Sequence, residues 1–142
     1  MNVGERERLF RNAPFYRSIG IELKYMKNGK AEIVLPFDKK LTHEYGLIQG
    51  GVIVTLADAA CAAAVLSILD GDKEIVSVSL SVNFIKSVDE DMTSEAEIVH
   101  KGRTTAVADC SVYSKSGKLI AKVTDTFMII KSNPERKFPE VK

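Results

Sequence analysis

The chain has 142 residues, 45% of them hydrophobic, and 20 Lys and Arg against 19 Asp and Glu leave a formal net charge of +1. That length suits one domain, residues 1–142, with a core expected over about 13–130. Near-neutrality excludes a general attraction to nucleic acid or to an anionic membrane. Residues 1–11 are charged and lack the apolar stretch of a signal peptide, so a cytoplasmic protein is expected. Cys61 and Cys110 lie in apolar runs without CxxC or Cys/His clustering, which predicts buried free thiols and no metal site.

In chain order, residues 5–12 predict a short helix, and Pro14 followed by Phe15 and Tyr16 a second short turn. Residues 19–26 and 30–36 read as two strands around Lys27-Asn28-Gly29, with Ala31, Ile33 and Leu35 alternating against Glu32 and Val34. That is a hairpin. Residues 37–49 form a loop without a clear period. It delivers the chain to residues 52–69, where only Thr55, Asp58 and Ser67 interrupt Val, Ile, Leu, Ala and Cys. A helix that is apolar on every side is a buried one. A membrane span is the rival, but the run is rich in alanine, and Asp58 would cost about 2.5–3.5 kcal/mol near a bilayer centre on insertion scales.

Asp70-Gly71-Asp72 stops the helix. The next segment alternates, with Val76, Val78, Leu80, Val82 and Phe84 on one predicted face and Ser77, Ser79, Ser81 and Asn83 on the other. Strands over 93–101, 104–114 and 118–130 follow, joined by Gly102-Arg103 and by residues 114–117. Short turns between long strands predict an antiparallel meander. The tail from Lys131, with Pro134 and Pro139, is expected to fray. A single sheet covers all sides of an apolar helix only by curling around it. The expected fold is therefore α+β, a curved antiparallel sheet wrapped around one long helix.

Chemistry is expected at two places on that helix. Gly50 and Gly51 open it, and a helix N-terminus presents unpaired N–H groups carrying about half a positive charge. Such a donor can stabilise charge developing on a carbonyl oxygen during acyl transfer. Asp58 is a lone carboxylate in apolar surroundings, expensive to bury without compensation. Eight residues separate Gly50 from Asp58, roughly 12 Å at 1.5 Å per residue. One substrate carbonyl cannot touch both. If both serve one reaction, Asp58 comes from a second copy of the chain, which predicts a dimer with two composite sites.

Gly46, Gly50, Gly51, Leu56, Ala57 and Asp58 match a motif running roughly Asn-x-x-Gly-x-x-His-Gly-Gly then Leu-Ala-Asp. The segment resembles the hotdog-fold acyl-CoA thioesterases of the phenylacetate-pathway (PaaI) type, and the order of elements is similar over about residues 13–130. The resemblance implies that the Gly50 amide polarises the thioester carbonyl and that Asp58 of the facing subunit acts as general base or nucleophile. It implies that Gly51 lies against the substrate, and places Ser77 near a hydroxyl that orients water in some members, although the alternation sets Ser77 opposite the apolar face. His43 stands at the family's Asn position and Gln49 at its His position. Both keep hydrogen-bonding capacity, and Gln49 cannot transfer a proton.

Coenzyme A carries phosphates, for which Lys101 and Arg103 of the Lys-Gly-Arg turn are candidates. The function implied is hydrolysis of an acyl- or aryl-CoA thioester, with coenzyme A as part of the substrate and no separate cofactor. The resemblance also implies a homo-oligomer, a dimer that often pairs into a tetramer. The alternatives are a hotdog protein that binds acyl-CoA or acts as a regulatory ligand sensor without turnover, and a structural oligomerisation domain. A hydratase or dehydratase of the same fold is disfavoured because Gln49 stands where a histidine is expected at the helix start.

Overall fold

The computed structural model describes residues 1–138. Helices α1 (Val3–Arg11) and α2 (Pro14–Ile19) precede a hairpin of β1 (Glu22–Lys27) and β2 (Lys30–Leu35). A 3-10 turn, Lys39–Leu41, leads to the long helix α3 (Gly50–Leu66). Then come β3 (Lys73–Phe84), β4 (Met92–Lys101), β5 (Thr105–Ser114) and β6 (Leu119–Lys131). The strands form one antiparallel sheet in the order β1-β2-β4-β5-β6-β3.

The predicted hairpin turn closes on Asn28 (φ 52°) and Gly29 (φ 80°). Two successive left-handed residues match the right-handed twist of the flanking strands. The first strand begins later than its sequence suggests. Ile19 ends α2, Gly20 takes φ 90°, and β1 starts at Glu22.

Helix α3 packs against the concave face of β2, β4 and β5. Leu56, Ala57, Ala59, Ala60, Cys61, Ala63, Ala64 and Val65 are all fully buried. Small side chains on several sides let the sheet approach the helix closely, and Leu56, Ile33, Leu35, Met92, Val112, Ile120 and Phe127 fill the remaining space.

The helix stops at Leu66 rather than Leu69, and side chains from elsewhere explain why. Ser67 Oγ donates to the Ala64 carbonyl (2.6 Å) and accepts from the Gly29 N–H (2.8 Å), tying the helix end to the hairpin turn. The buried Arg6 guanidinium of α1 donates to the carbonyls of Leu69 (2.5 Å) and Gly71 (2.7 Å), drawing that stretch away from the helical path. Arg6 and the C-terminal dipole of α3 also have favourable signs.

The alternation predicted for the third strand is broken. A bulge between Ser77 and Ser79 leaves Val78 without a partner on β6. Downstream of it, Leu80, Val82 and Phe84 lie opposite Asp125, Val123 and Ala121, all buried on the concave face. Upstream, Ile75 and Ser77 lie opposite the buried Ile129 and Phe127. Val76 is thereby turned to the outer face, where it sits beside Met128, and Ser77 is turned inward. One inserted residue reverses the face of everything before it. The strand is also a sheet edge and more exposed than half-buried, with Val76, Val78 and Phe84 at 44%, 53% and 57%.

The described part of the tail is tied down rather than frayed. Arg136 pairs with Glu74, and the Ser132 N–H donates to the Asp72 carbonyl (2.9 Å). Pro139 and the residues after it lie outside the described range. Both cysteines are buried and free, as expected. Among the described residues no helix is long and apolar enough to cross a membrane.

Candidate active site

The loop before α3 is shaped by its own side chains. Thr42 and Ile48 form an isolated antiparallel bridge, and the Ile48 and Gln49 N–H groups donate to the carbonyls of Val88 (2.9 Å) and Leu41 (3.0 Å). His43 Nδ1 accepts from the Tyr45 N–H (3.1 Å), and its ring meets the Tyr45 ring edge-on at 5.7 Å. His43 thus shapes the loop. Gln49 is the N-cap of α3, its side-chain carbonyl accepting from the Gly51 N–H. That leaves the Gln49 NH2 as its free donor and removes the Gly51 amide from use by a ligand. A side chain at Gly51 would put Cβ 2.8 Å from Gln49 Oε1 and displace the cap.

Gly50 is the first residue of the helix, and its N–H has no partner among the described residues. The Phe84 ring stands over it, 3.5 Å from where a Cβ would lie. The helix therefore begins with one open donor beneath an exposed aromatic edge, in the positive field of the helix dipole.

Two turns further on, Asp58 is half-buried and accepts a hydrogen bond from Ser77 Oγ at 3.0 Å. The bulge makes this contact possible, because regular alternation would have pointed Ser77 outward. Two further groups, neither singled out from the sequence, complete the cluster. Asp125 of β6 is fully buried, and no donor reaches either side-chain oxygen. Burial first, then the hydrogen bond and charge of Asp58, push its carboxyl up to about 9. Tyr16 of α2 is pushed up to about 12, by burial and then by Asp58 and Asp125. The missed signal for Asp125 lay in the alternation of β6, where Val123, Asp125, Phe127 and Ile129 share one inward face.

The described residues bring Asp58 and Ser77 together and keep Gly50 roughly 12 Å away along the same helix. Lys101 and Arg103 are exposed at the β4–β5 turn. Lys101 lies opposite Ala106, Ala106 opposite Phe127, and Phe127 opposite Ser77. Three strand spacings of about 4.8 Å set it roughly 14 Å across the sheet from Ser77. A cavity of about 940 Å³ opens beside the cluster, lined by Leu9, Phe10, Tyr16, Leu66 and Ile75 among others. Tyr16 is the member of the cluster that lines it; Asp58, Ser77 and Asp125 do not.

A family model described as the thioesterase superfamily matches residues 45–121, from the loop before α3 into β6. A Saccharolobus solfataricus protein bearing an esterase name is 31% identical over 130 residues, covering 91% of this chain and 86% of its own. The 1,4-dihydroxy-2-naphthoyl-CoA hydrolase of Listeria monocytogenes is 28% identical over 104 residues, covering 72% and 85%. Among solved structures, a thioesterase family protein from Silicibacter pomeroyi superposes with a TM-score of 0.86 at 27% identity, over 92% of this chain and all of that one. Escherichia coli PaaI shares the fold, with a TM-score of 0.83 at 20% identity over 92% and 94% of the two chains. From the glycine-opened helix to the six-stranded sheet curled around it, the chain belongs to the thioesterase superfamily and has the hotdog fold.

Proposed function

We propose that this chain hydrolyses the thioester of an acyl- or aryl-coenzyme A to a free acid and coenzyme A. The observation that carries the reading is the Asp58 carboxylate, held by Ser77 at 3.0 Å, on a helix whose first amide is open. The name of the Listeria monocytogenes relative, a CoA-thioester hydrolase, supports the substrate class.

In this mechanism the Gly50 N–H accommodates the negative charge that grows on the thioester oxygen. Asp58 either takes a proton from an attacking water or attacks the carbonyl itself. The separation along the helix requires the two groups to come from different subunits. The long edge strand β3, with its outer row of N–H and C=O groups unpaired, supports pairing with a second copy across a two-fold axis. The apolar cavity beside Tyr16 suits an acyl or aryl group. Lys101 and Arg103 are offered to the phosphates of coenzyme A, while Gln49 and His43 line the loop over the helix start.

One observation favours a second reading, binding of acyl-CoA without turnover. The Gln49 carbonyl is engaged as a helix cap, so only its NH2 is left to assist at the carbonyl. Release of free thiol from a panel of acyl-CoAs, by the natural protein and by Asp58→Asn, separates the two. Turnover that falls by about 10²-fold or more in the variant supports hydrolysis. Saturable binding with no thiol release from any acyl-CoA supports the binding protein.

A further inference from the structure

Asp125 is the one described residue with buried side-chain oxygens that no donor reaches. Buried polar atoms without partners are rare, and each calls for a reason. Its surroundings supply one. Asp125 lies between Ala108 on β5 and Leu80 on β3, facing the helix. Cys61, one turn after Asp58, donates to the Ala108 carbonyl at 3.9 Å, which sets that turn of α3 directly over this part of the sheet. Ser77, already bonded to Asp58, comes from the same inward face of β3 as Leu80. Asp58, bonded to Ser77 and one turn before Cys61, is the polar side chain that this turn of α3 brings toward Asp125. Two ionised carboxylates are both acceptors and repel, so their meeting is favourable only with a proton between them.

We propose that Asp125 is a positioning residue for Asp58, a buried acid whose O–H hydrogen-bonds the Asp58 carboxylate and fixes its orientation. The proposal rests on the thioesterase reading of the site. A carboxylate offers about four lone-pair directions. Ser77 and Asp125 fill two of them from two strands, and the rest face the cleft for water or substrate. The titratable groups facing Asp125 are Asp58 and Cys61 of α3, Cys110 of β5 and Tyr16 of α2, with none from β3. None carries a positive charge, so nothing here competes with the proton for Asp125.

The test uses the full chain with Asp125→Leu, which keeps the branched shape and removes the donor, and Asp125→Asn, which keeps the size and an N–H donor. The expected result is a kcat lower by about 10-fold to 100-fold in the Leu variant at unchanged KM, with most of that loss recovered in the Asn variant. The natural protein also loses activity above about pH 9, where Asp125 ionises, and the Asn variant does not. Carboxyl carbon NMR of Asp-labelled protein reads the same proton without turnover. One aspartate stays protonated at neutral pH, disappears in Asp125→Asn and titrates lower in Asp58→Asn. Equal kcat in the natural and Leu proteins, or an Asp125 that titrates in the ordinary carboxylate range, overturns the proposal. A natural protein that releases no thiol from any acyl-CoA sinks the thioesterase reading instead, and the NMR titration then decides alone whether Asp125 bonds Asp58.

Discussion

Replacing Gly50 with proline exchanges its N–H for a ring carbon and leaves the helix start otherwise in place. At the first position of a helix the N–H has no intrahelical acceptor, and the fixed φ of proline suits the site. The preceding residue must be extended, and Gln49 already has φ −65° and ψ 135°. A Cβ at position 50 meets the Phe84 ring at 3.5 Å, an ordinary contact. The folded state therefore accommodates Gly50→Pro, and the loss of freedom in the unfolded chain favours it by about 0.4–1 kcal/mol. The proposed chemistry responds in the opposite direction. Removal of one donor to a developing oxyanion reduces kcat by about 10²–10³, or roughly 2.7–4 kcal/mol. Thermal unfolding and thiol-release kinetics on the same preparation give both numbers. A folded Gly50→Pro protein with undiminished kcat refutes the role of this amide, and a large loss of stability refutes the placement of Gly50 at the helix start.

Arg6→Met removes two charged hydrogen bonds that hold the Leu69 and Gly71 carbonyls, and a loss of about 3 kcal/mol is expected in urea unfolding. A loss below about 1 kcal/mol would mean that water replaces the guanidinium at little cost. Ser77→Ala is expected to lower kcat about tenfold with no change in unfolding temperature, because the hydroxyl bonds Asp58 on an exposed strand rather than supporting the core. Asp125 also sets a pH dependence of stability. Its folded carboxyl is raised to about 9 from about 4 in the unfolded chain, so the folded state holds the extra proton between those values. Stability from this group is fully present below pH 4 and is lost as pH rises through 9, at up to about 1.4 kcal/mol per pH unit. The advantage of Asp125→Asn over the natural protein should accordingly grow with pH across that window in chemical denaturation.

The parts of the fold legible in the sequence were those written in local terms. Asn28-Gly29 announces its turn through two left-handed residues, and the alanine-rich helix announces its burial through composition. Asp58 stood out because nothing around it in sequence was charged. What was hidden depends on long-range register. The bulge at Val78 exists through pairing with β6, so the alternation of residues 75–84 pointed Ser77 to the wrong face. Asp125 sits between two threonines in a strand of mixed character, and its place facing α3 is visible only once β6 is seen to pair with β5 under that helix. The edge position of β3 was equally hidden, because strand order in the sheet departs from strand order in the chain.

The two turns of helix between Gly50 and Asp58 also bear on what two damaged copies of the protein can do for each other. In the proposed two-fold arrangement, a Gly50→Pro subunit joined to an Asp58→Asn subunit concentrates both lesions in one cleft and leaves the other cleft intact. Two inactive preparations, dissociated and reassembled at random, should then regain about a quarter of the natural activity, from half the dimers with one working site each. If amide and carboxylate instead met within a single chain, every cleft in the mixture would carry a lesion and no activity would return.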